Sequence, residues 1–280
     1  MKKVFLCMGI LFLVFLTKNN SLRAQNHQLV KKWQTDSVLK VPESVLYDGE
    51  NKVLYTSNID GAPDGKDGKG SIGKVGLDGK IIKVDWVPGL NAPKGLGKYK
   101  NELYAADLDE VVVIDIKAGK ITRHIPVPDA QFLNDISVDA NGVIYVSDTK
   151  TGKVHRIENG NVSTYGEGID GANGVLAVGK DLYVLGNGNL WKITSDKQRT
   201  KVADGMDAST DGVEEVKPGE FVVSCWNGII YYVKSDGSKQ PMLDTRNQKI
   251  NSADIGYDAR NRIVYVPTFF KNSIAAYELK

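Results

Sequence analysis

Cysteine and histidine are scarce in this chain of 280 residues, which contains two cysteines and three histidines. Cys7 lies in the apolar N-terminal run, so Cys225 is the only cysteine in the rest of the chain. An internal disulfide framework is therefore excluded. A structural zinc site, which takes Cys and His ligands, is not favoured. Because Cys225 lies in an apolar strand pattern, we expect a buried and unreactive thiol.

Several other sequence features are missing. There is no Gly-x-Ser-x-Gly elbow of the kind that holds a serine nucleophile, no phosphate-binding glycine loop and no basic stripe typical of nucleic-acid binding. Segments with helical periodicity are hard to find, whereas glycine is frequent, with 29 residues. This combination favours a turn-rich, all-β fold.

The N-terminus differs from the rest of the chain. Two lysines precede an unbroken apolar run of 13 residues, Val4 to Leu16, and Ala24 offers a small residue for cleavage. This layout is typical of a secretory signal peptide, and the run is shorter than the roughly 18 residues that a membrane span needs. We therefore expect a signal peptide at 1–24 and an exported domain at 25–280, periplasmic or secreted, with no stable membrane span.

The N-terminal segment also carries the positive charge of the chain. It holds four of the 36 basic residues and none of the 34 acidic ones, so removing it changes the formal charge from +2 to −2. The remaining chain has no basic excess, and we expect no nucleic-acid partner.

A short apolar strand with a central aromatic or β-branched residue recurs six times. Its central residues are Tyr55, Tyr104, Tyr145, Tyr183, Val222 and Tyr265. A period of about 40–45 residues made of short strands is typical of propeller blades, with one four-stranded antiparallel sheet per blade. The sequence therefore predicts an all-β, six-bladed β-propeller. No residues remain for an outer strand after the sixth repeat, so we expect the N-terminal segment 29–34 to close the last blade.

An insertion at residues 59–70 lengthens the first repeat. It resembles a calcium loop, but Ala62 and Ser71 stand where an EF-hand needs ligands. It is either a polar glycine-rich loop or a loop that covers the channel mouth, since loops of this length are often functional.

One position of each predicted inner strand should converge at one mouth of the propeller channel. It lies just before a small-then-aliphatic pair, and its six copies are Glu43, Lys94, Asn134, Asn173, Asp211 and Ala253. The oxygen ligands of Glu43, Asn173 and Asp211 suit a hard cation such as Ca²⁺ or Mg²⁺. Alternatively, these side chains bind water and backbone groups in a wet channel, and the pattern alone does not decide between the two.

The segments around these positions, in this order, resemble the senescence marker protein (regucalcin)/gluconolactonase family over residues 29–280. They are Pro42-Glu43-Ser44-Val45, Leu133-Asn134-Asp135-Ile136, Ala172-Asn173-Gly174-Val175, Thr210-Asp211-Gly212-Val213 and Trp226-Asn227-Gly228. The resemblance implies a six-bladed propeller that holds a divalent metal on Glu43, Asn173 and Asp211, with Ca²⁺ favoured over Mg²⁺, Mn²⁺ or Zn²⁺. It also implies that Asp211 is the acid/base of lactone hydrolysis and that Asn134 helps bind substrate or metal-bound water. Phe132 stands where sugar-lactone hydrolysing members tend to carry Arg, which favours a more apolar substrate.

Two functions remain open. The first is an exported, divalent-metal-dependent hydrolase of a lactone or related ester, with a small-molecule substrate. Asp211 is then the catalytic residue, and the predicted substrate-binding residues are Asn134, Asp135, Lys94 and Phe132. The second is a non-catalytic propeller that binds a small ligand, glycan or protein at the channel mouth, because the fold alone does not determine function.

Overall fold

The computed structural model of the protein describes Met1 and residues 26–280. Apart from Met1, the predicted signal peptide lies outside the described residues. Within the described part of the chain, no helix is both long and apolar enough to cross a membrane.

The described residues form 24 strands in six four-stranded antiparallel sheets, which are the blades. Blade 1 contains β2 (Pro42–Asp48), β3 (Val53–Asn58), β4 (Gly70–Gly76) and β5 (Ile81–Leu90). Blade 2 contains β6 (Pro93–Tyr99), β7 (Glu102–Asp107), β8 (Glu110–Asp115) and β9 (Lys120–Pro126). Blade 3 contains β10 (Leu133–Val138), β11 (Ile144–Asp148), β12 (Lys153–Glu158) and β13 (Asn161–Gly166).

The remaining blades follow the same order. Blade 4 contains β14 (Ala172–Val178), β15 (Asp181–Gly186), β16 (Asn189–Ile193) and β17 (Arg199–Ala203). Blade 5 contains β18 (Thr210–Lys217), β19 (Glu220–Cys225), β20 (Ile229–Val233) and β21 (Lys239–Asp244). Blade 6 contains β22 (Gly256–Asp258), β23 (Ile263–Pro267), β24 (Ile274–Leu279) and, as its outer strand, β1 (Leu29–Gln34). Two short 3₁₀ turns cover Arg246–Gln248 and Phe269–Lys271. The predicted six-bladed all-β propeller is therefore confirmed.

The N-terminal strand closes the ring as the sequence predicted. Strand β1 pairs antiparallel with β24, with Leu29 opposite Leu279 and Gln34 opposite Ala275. Gln34 also donates a side-chain hydrogen bond of 2.7 Å to Ser273 Oγ. The pairing covers the edge of the last sheet, which would otherwise present unpaired backbone groups to solvent.

The hydrophobic core lies between neighbouring blades. Tyr55 and Ile72 of blade 1 pack with Leu103 and Val112 of blade 2 in one buried cluster, and similar clusters fill the other seams. Alternating side chains of each sheet face the next blade, so the recurrent strand motif is the core of the ring. Cys225 is also fully buried, and burial raises the pKa of its thiol.

Candidate functional site

The six residues aligned at the channel mouth, called the ring residues below, occupy the same place in five of the six inner strands. Glu43, Lys94, Asn134, Asn173 and Asp211 are each the second residue of their strand. In each case the pairing register to the next strand shifts across this point. Such irregularities re-aim side chains and are frequent next to active sites. In the sixth blade, Ala253 precedes the strand and brings no polar group to the ring.

The residue after the ring position is glycine in three blades because the next blade lies very close there. A Cβ at Gly174 would lie 2.2 Å from the backbone oxygen of Asp211, and one at Gly95 would lie 2.4 Å from the Cα of Asp135. A side chain does not fit at these points, so glycine allows the inner strands to converge.

The five polar ring residues line one cavity of about 520 Å³ at the channel mouth. Phe132 lines it as well, so the structure brings together six of the seven residues predicted for the site. The rest of the lining comes from Thr210, which begins β18, and from the loops between strands: Ile59, Pro63, Thr149, Gly171, Asn187, Ala208, Ser209, Trp226, Phe269 and Phe270.

Three buried oxygen atoms of this cavity have no hydrogen-bond partner among residues 26–280. They are Oε2 of Glu43, Oδ1 of Asn173 and Oδ1 of Asp211. Burying an acceptor without a partner costs about 1–3 kcal/mol, and more for a charged group, so native proteins seldom leave such atoms unpaired. These three are the ligands that the family resemblance implies, and all three are acceptors. The donor set therefore fits a hard divalent cation.

A metal centre built only from His, Cys, Asp and Glu is not present in the described part of the chain, where no three such side chains are arranged to hold an ion. The predicted ligand set differs from such a centre because one of its three ligands is an amide and only two are carboxylates.

The electrostatics of the ring disfavour two ionised carboxylates without a cation. Burial, then Asp211 and Asp254, raise the pKa of Glu43 well above its usual range, and Lys94 opposes this. Burial, then Asp254, likewise raise the pKa of Asp211, which the Asn173 amide opposes. A bound divalent cation would favour the charged forms and reverse these shifts.

Lys94 is the ring's cation, and its side chain is only 2% exposed. Its Nζ donates a 2.9 Å hydrogen bond to the backbone oxygen of Ala92 and lies 4.3 Å from the centre of the Phe132 ring. Burial lowers the pKa of Lys94, whereas Glu43 and Asp107 raise it. The lysine is therefore held by one hydrogen bond, an aromatic face and a carboxylate within the same cavity.

The amide of Asn134 is oriented by its neighbours. Its Nδ2 donates to Thr149 Oγ1 at 3.0 Å, and that hydroxyl donates to the backbone oxygen of Ala172 at 2.7 Å. This chain joins blade 3 to blade 4 and fixes the side chain that the sequence predicted to bind substrate.

Asp135 does not lie in the mouth cavity. Its two carboxylate oxygens accept backbone hydrogen bonds from Ile136 and Val175, both at 2.7 Å. Its side chain lines a second compartment of the channel, of about 370 Å³. Asp135 therefore lies apart from the other predicted site residues, and its carboxylate ties the inner strand of blade 3 to that of blade 4.

Sequence reasoning missed two further acids, Asp254 and Glu214, which line this second compartment. Asp254 accepts a 2.5 Å hydrogen bond from the Ser44 hydroxyl, and burial raises its pKa to about 7. Burial, then Asp254, raise the pKa of Glu214 to about 8. A signal for Asp254 was present, since it follows the ring position of blade 6 as Asp135 does in blade 3.

An aromatic cluster at the rim of the cavity was not predicted, although Trp226 belongs to one of the segments that resemble the regucalcin/gluconolactonase family. The Trp226 ring packs edge-to-face on Phe269 at 5.6 Å and on Phe270 at 6.0 Å, measured between ring centres. Phe269 is buried, whereas Phe270 is 63% exposed. The adjacent pair Phe269-Phe270 in a short loop was the available signal.

The insertion in blade 1 lies at this mouth. Ile59 and Pro63 line the cavity. Lys66 of the same loop forms an ion pair of 2.7 Å with Asp109 of blade 2, and Asp60 forms one of 3.0 Å with Lys40. The loop therefore contributes one side of the cavity wall.

The fold and the site together define a six-bladed β-propeller with a polar and aromatic cavity at one channel mouth. No family model and no curated protein matches the chain, so membership of the regucalcin/gluconolactonase family stays a prediction.

Solved structures with the same fold include two lyases and one nidogen/laminin complex. A streptogramin B lyase is 12% identical, covers 91% of this chain and 98% of its own, and has a TM-score of 0.64. A catalytically inactive virginiamycin B lyase from Staphylococcus aureus, solved with quinupristin, is 14% identical, with coverages of 91% and 99% and a TM-score of 0.64. A nidogen/laminin complex is 16% identical, with coverages of 78% and 84% and a TM-score of 0.63. At these identities the likeness shows the fold alone.

Proposed function

We propose that this protein is a divalent-metal-dependent hydrolase that opens a lactone or a related ester in the mouth cavity. The observation that carries the proposal is the set of three unpartnered oxygens on Glu43, Asn173 and Asp211, which line one cavity. The three oxygens come from three different blades and line the same cavity, so one cation in it would satisfy all three.

Glu43, Asn173 and Asp211 would hold the cation, with Ca²⁺ favoured by the all-oxygen ligands and Mg²⁺, Mn²⁺ or Zn²⁺ as alternatives. When bound, the cation would polarise an ester carbonyl and stabilise negative charge on its oxygen. Asp211 would accept the proton of the attacking water as a general base and return it to the ester oxygen that leaves when the acyl C–O bond breaks. Asn134 orients the substrate through its fixed amide, and Lys94 stabilises the carboxylate that is released.

Hydrolysis of a panel of lactones and aryl esters tests this proposal. The chain from Gln25 onward should hydrolyse at least one member in Ca²⁺ and lose that activity in EDTA. Asp211→Ala should lower kcat at least about 100-fold, the smaller end of what a general base contributes. Asp236→Ala, which removes an exposed turn carboxylate, is the matched control and should keep full activity. Activity that survives both EDTA and Asp211→Ala would refute the proposal.

A non-catalytic binding propeller is the second candidate, and the exposed Phe270 at the rim favours it. The same fold occurs in proteins named as lyases and in one named as a protein complex. Metal-dependent turnover distinguishes the hydrolase from a propeller that only binds a ligand. If the protein hydrolyses no member of the panel but binds a ligand at the ring, the second candidate holds.

We also propose that the protein is exported and that it works in the periplasm or outside the cell. The basic, apolar and small-residue layout of residues 1–24 supports this. N-terminal sequencing of protein purified from the native cell should begin at Gln25. A mature chain that retains residues 1–24 would contradict it.

A further inference from the structure

We infer that the substrate of this cavity carries an apolar alkyl or aryl substituent next to its ester bond, and not a polyhydroxylated ring. The inference rests on the proposed hydrolase function and names its substrate class. The cavity lining has two parts. Polar side chains from the inner strands form one part, and apolar side chains from the loops form the other.

The apolar set is built from aromatic side chains. Trp226, Phe269 and Phe270 form one mutually packed cluster, in which the rings of Phe269 and Phe270 meet edge-to-face at 4.7 Å. Phe270 leaves most of its surface to solvent. A ligand that covers Phe270 would remove this apolar surface from water.

The backbone conformation of the loop is unusual and places this cluster. Phe269 has a φ of +47° and Asn272 a φ of +56°. Bulky residues seldom adopt this left-handed region, and strained positions of this kind persist where a binding site is held in place. Thr268 fixes the loop, because its hydroxyl donates a 2.8 Å hydrogen bond to the backbone oxygen of Ser273.

Phe132 adds a further aromatic side chain to the cavity, beside the polar ring residue Lys94. Its ring lies 4.3 Å from Nζ of Lys94 and 5.1 Å from Nζ of Lys150. The ring therefore holds the buried ammonium group next to the carboxylates, where it can meet the carboxylate of an opened ester. A phenyl ring cannot donate hydrogen bonds to the hydroxyl groups of a sugar lactone.

The test is a series of γ-lactones with alkyl chains of increasing length, compared with a polyhydroxylated sugar lactone, all in Ca²⁺. We expect kcat/KM to rise with each methylene by up to about fourfold, the factor for full burial of one CH₂ group. Phe270→Ala should reduce this rise per methylene. Ile82→Ala removes a side chain of similar exposure, 61%, from the outer strand β5 of blade 1, and should leave the rise unchanged.

Binding of the same lactones to Asp211→Ala, measured by calorimetry, separates this inference from the proposed function. Affinity that increases with chain length supports the inference even if the wild-type protein hydrolyses none of them, in which case only the hydrolase proposal fails. If hydrolysis occurs but the sugar lactone is preferred, or if chain length has no effect on kcat/KM or on affinity, the inference is wrong.

Discussion

Ser44 of blade 1 and Asp254 of blade 6 are joined by a 2.5 Å hydrogen bond from the serine hydroxyl to the carboxyl group. A second bond, from the backbone N–H of Asp254 to the backbone oxygen of Glu43, is 2.9 Å long. These contacts join the first and last blades of the ring. Because Glu43 is a candidate metal ligand, the closure of the propeller and the position of that ligand depend on the same pair of inner strands.

Ser44→Ala should therefore destabilise the protein. It removes the donor from a buried carboxyl group, and such a loss costs about 1–3 kcal/mol. The free energy of unfolding in urea measures the effect. Ser195→Ala, at an exposed turn position, should change it by less than about 0.5 kcal/mol. Equal stability of the two variants would contradict the role assigned to the Ser44–Asp254 bond.

The metal-free protein should lose stability as the pH rises, and Glu214 should contribute to this loss. Burial and Asp254 raise the pKa of Glu214 to about 8 in the folded state, whereas the unfolded chain releases the proton near the usual pKa of about 4.3. The folded state thus binds more protons between these values, so the free energy of unfolding falls across this range.

The variant Glu214→Gln tests this sign. It should flatten the decrease in the free energy of unfolding between pH 5 and pH 8, and Glu167→Gln, at an exposed site, should not. Urea unfolding in EDTA at several pH values measures both. The same change in stability with pH in all three proteins would contradict the assignment.

Lys94→Met should weaken inhibition by the carboxylate product about tenfold or more, because the ion pair between the ammonium group and the product carboxylate is lost. Lys150→Met is the matched control, since Lys150 also lies over the Phe132 ring but is exposed to solvent. Product inhibition constants measured in Ca²⁺ compare the two. If both variants weaken inhibition equally, the carboxylate is not bound by Lys94.

Deletion of residues 26–34 should open blade 6. It removes the ladder between β1 and β24 and the packing of Trp33 on Tyr265, whose ring centres lie 5.8 Å apart. A loss of several kcal/mol corresponds to a fall in Tm of about 10 °C or more at this size. Thermal unfolding followed by circular dichroism measures it. An unchanged Tm would mean that the last blade does not depend on β1.

The ring of site residues was predictable because a repeat places equivalent residues at equivalent points of the channel. Glu43, Asn173 and Asp211 are far apart in sequence, yet each follows the first residue of an inner strand. Asp135, which was predicted to bind substrate but follows the aligned position, does not line the mouth cavity. Successive residues of a strand point in different directions, and Asp135 therefore reaches the backbone of Val175 instead of the mouth cavity.

The aromatic rim and the second compartment were not predictable from the repeat. The left-handed backbone of Phe269 has no sequence signal of the kind that glycine or asparagine provides. The proximity of Glu214 to Asp254 depends on how closely the neighbouring blades 5 and 6 approach each other, and a pattern within one blade does not contain that distance.

Calorimetric titration of Ca²⁺ into the metal-free protein measures whether the three unpartnered oxygens bind a cation. We expect saturable binding of one ion per chain, weakened at least about tenfold in Glu43→Gln, in Asn173→Ala and in Asp211→Asn, since even groups behind the ligands affect affinity by that factor. Glu167→Gln should bind as the wild-type protein does. No binding of Ca²⁺ or of another divalent ion, or the same affinity in all of these proteins, would contradict a metal site on the three unpartnered oxygens.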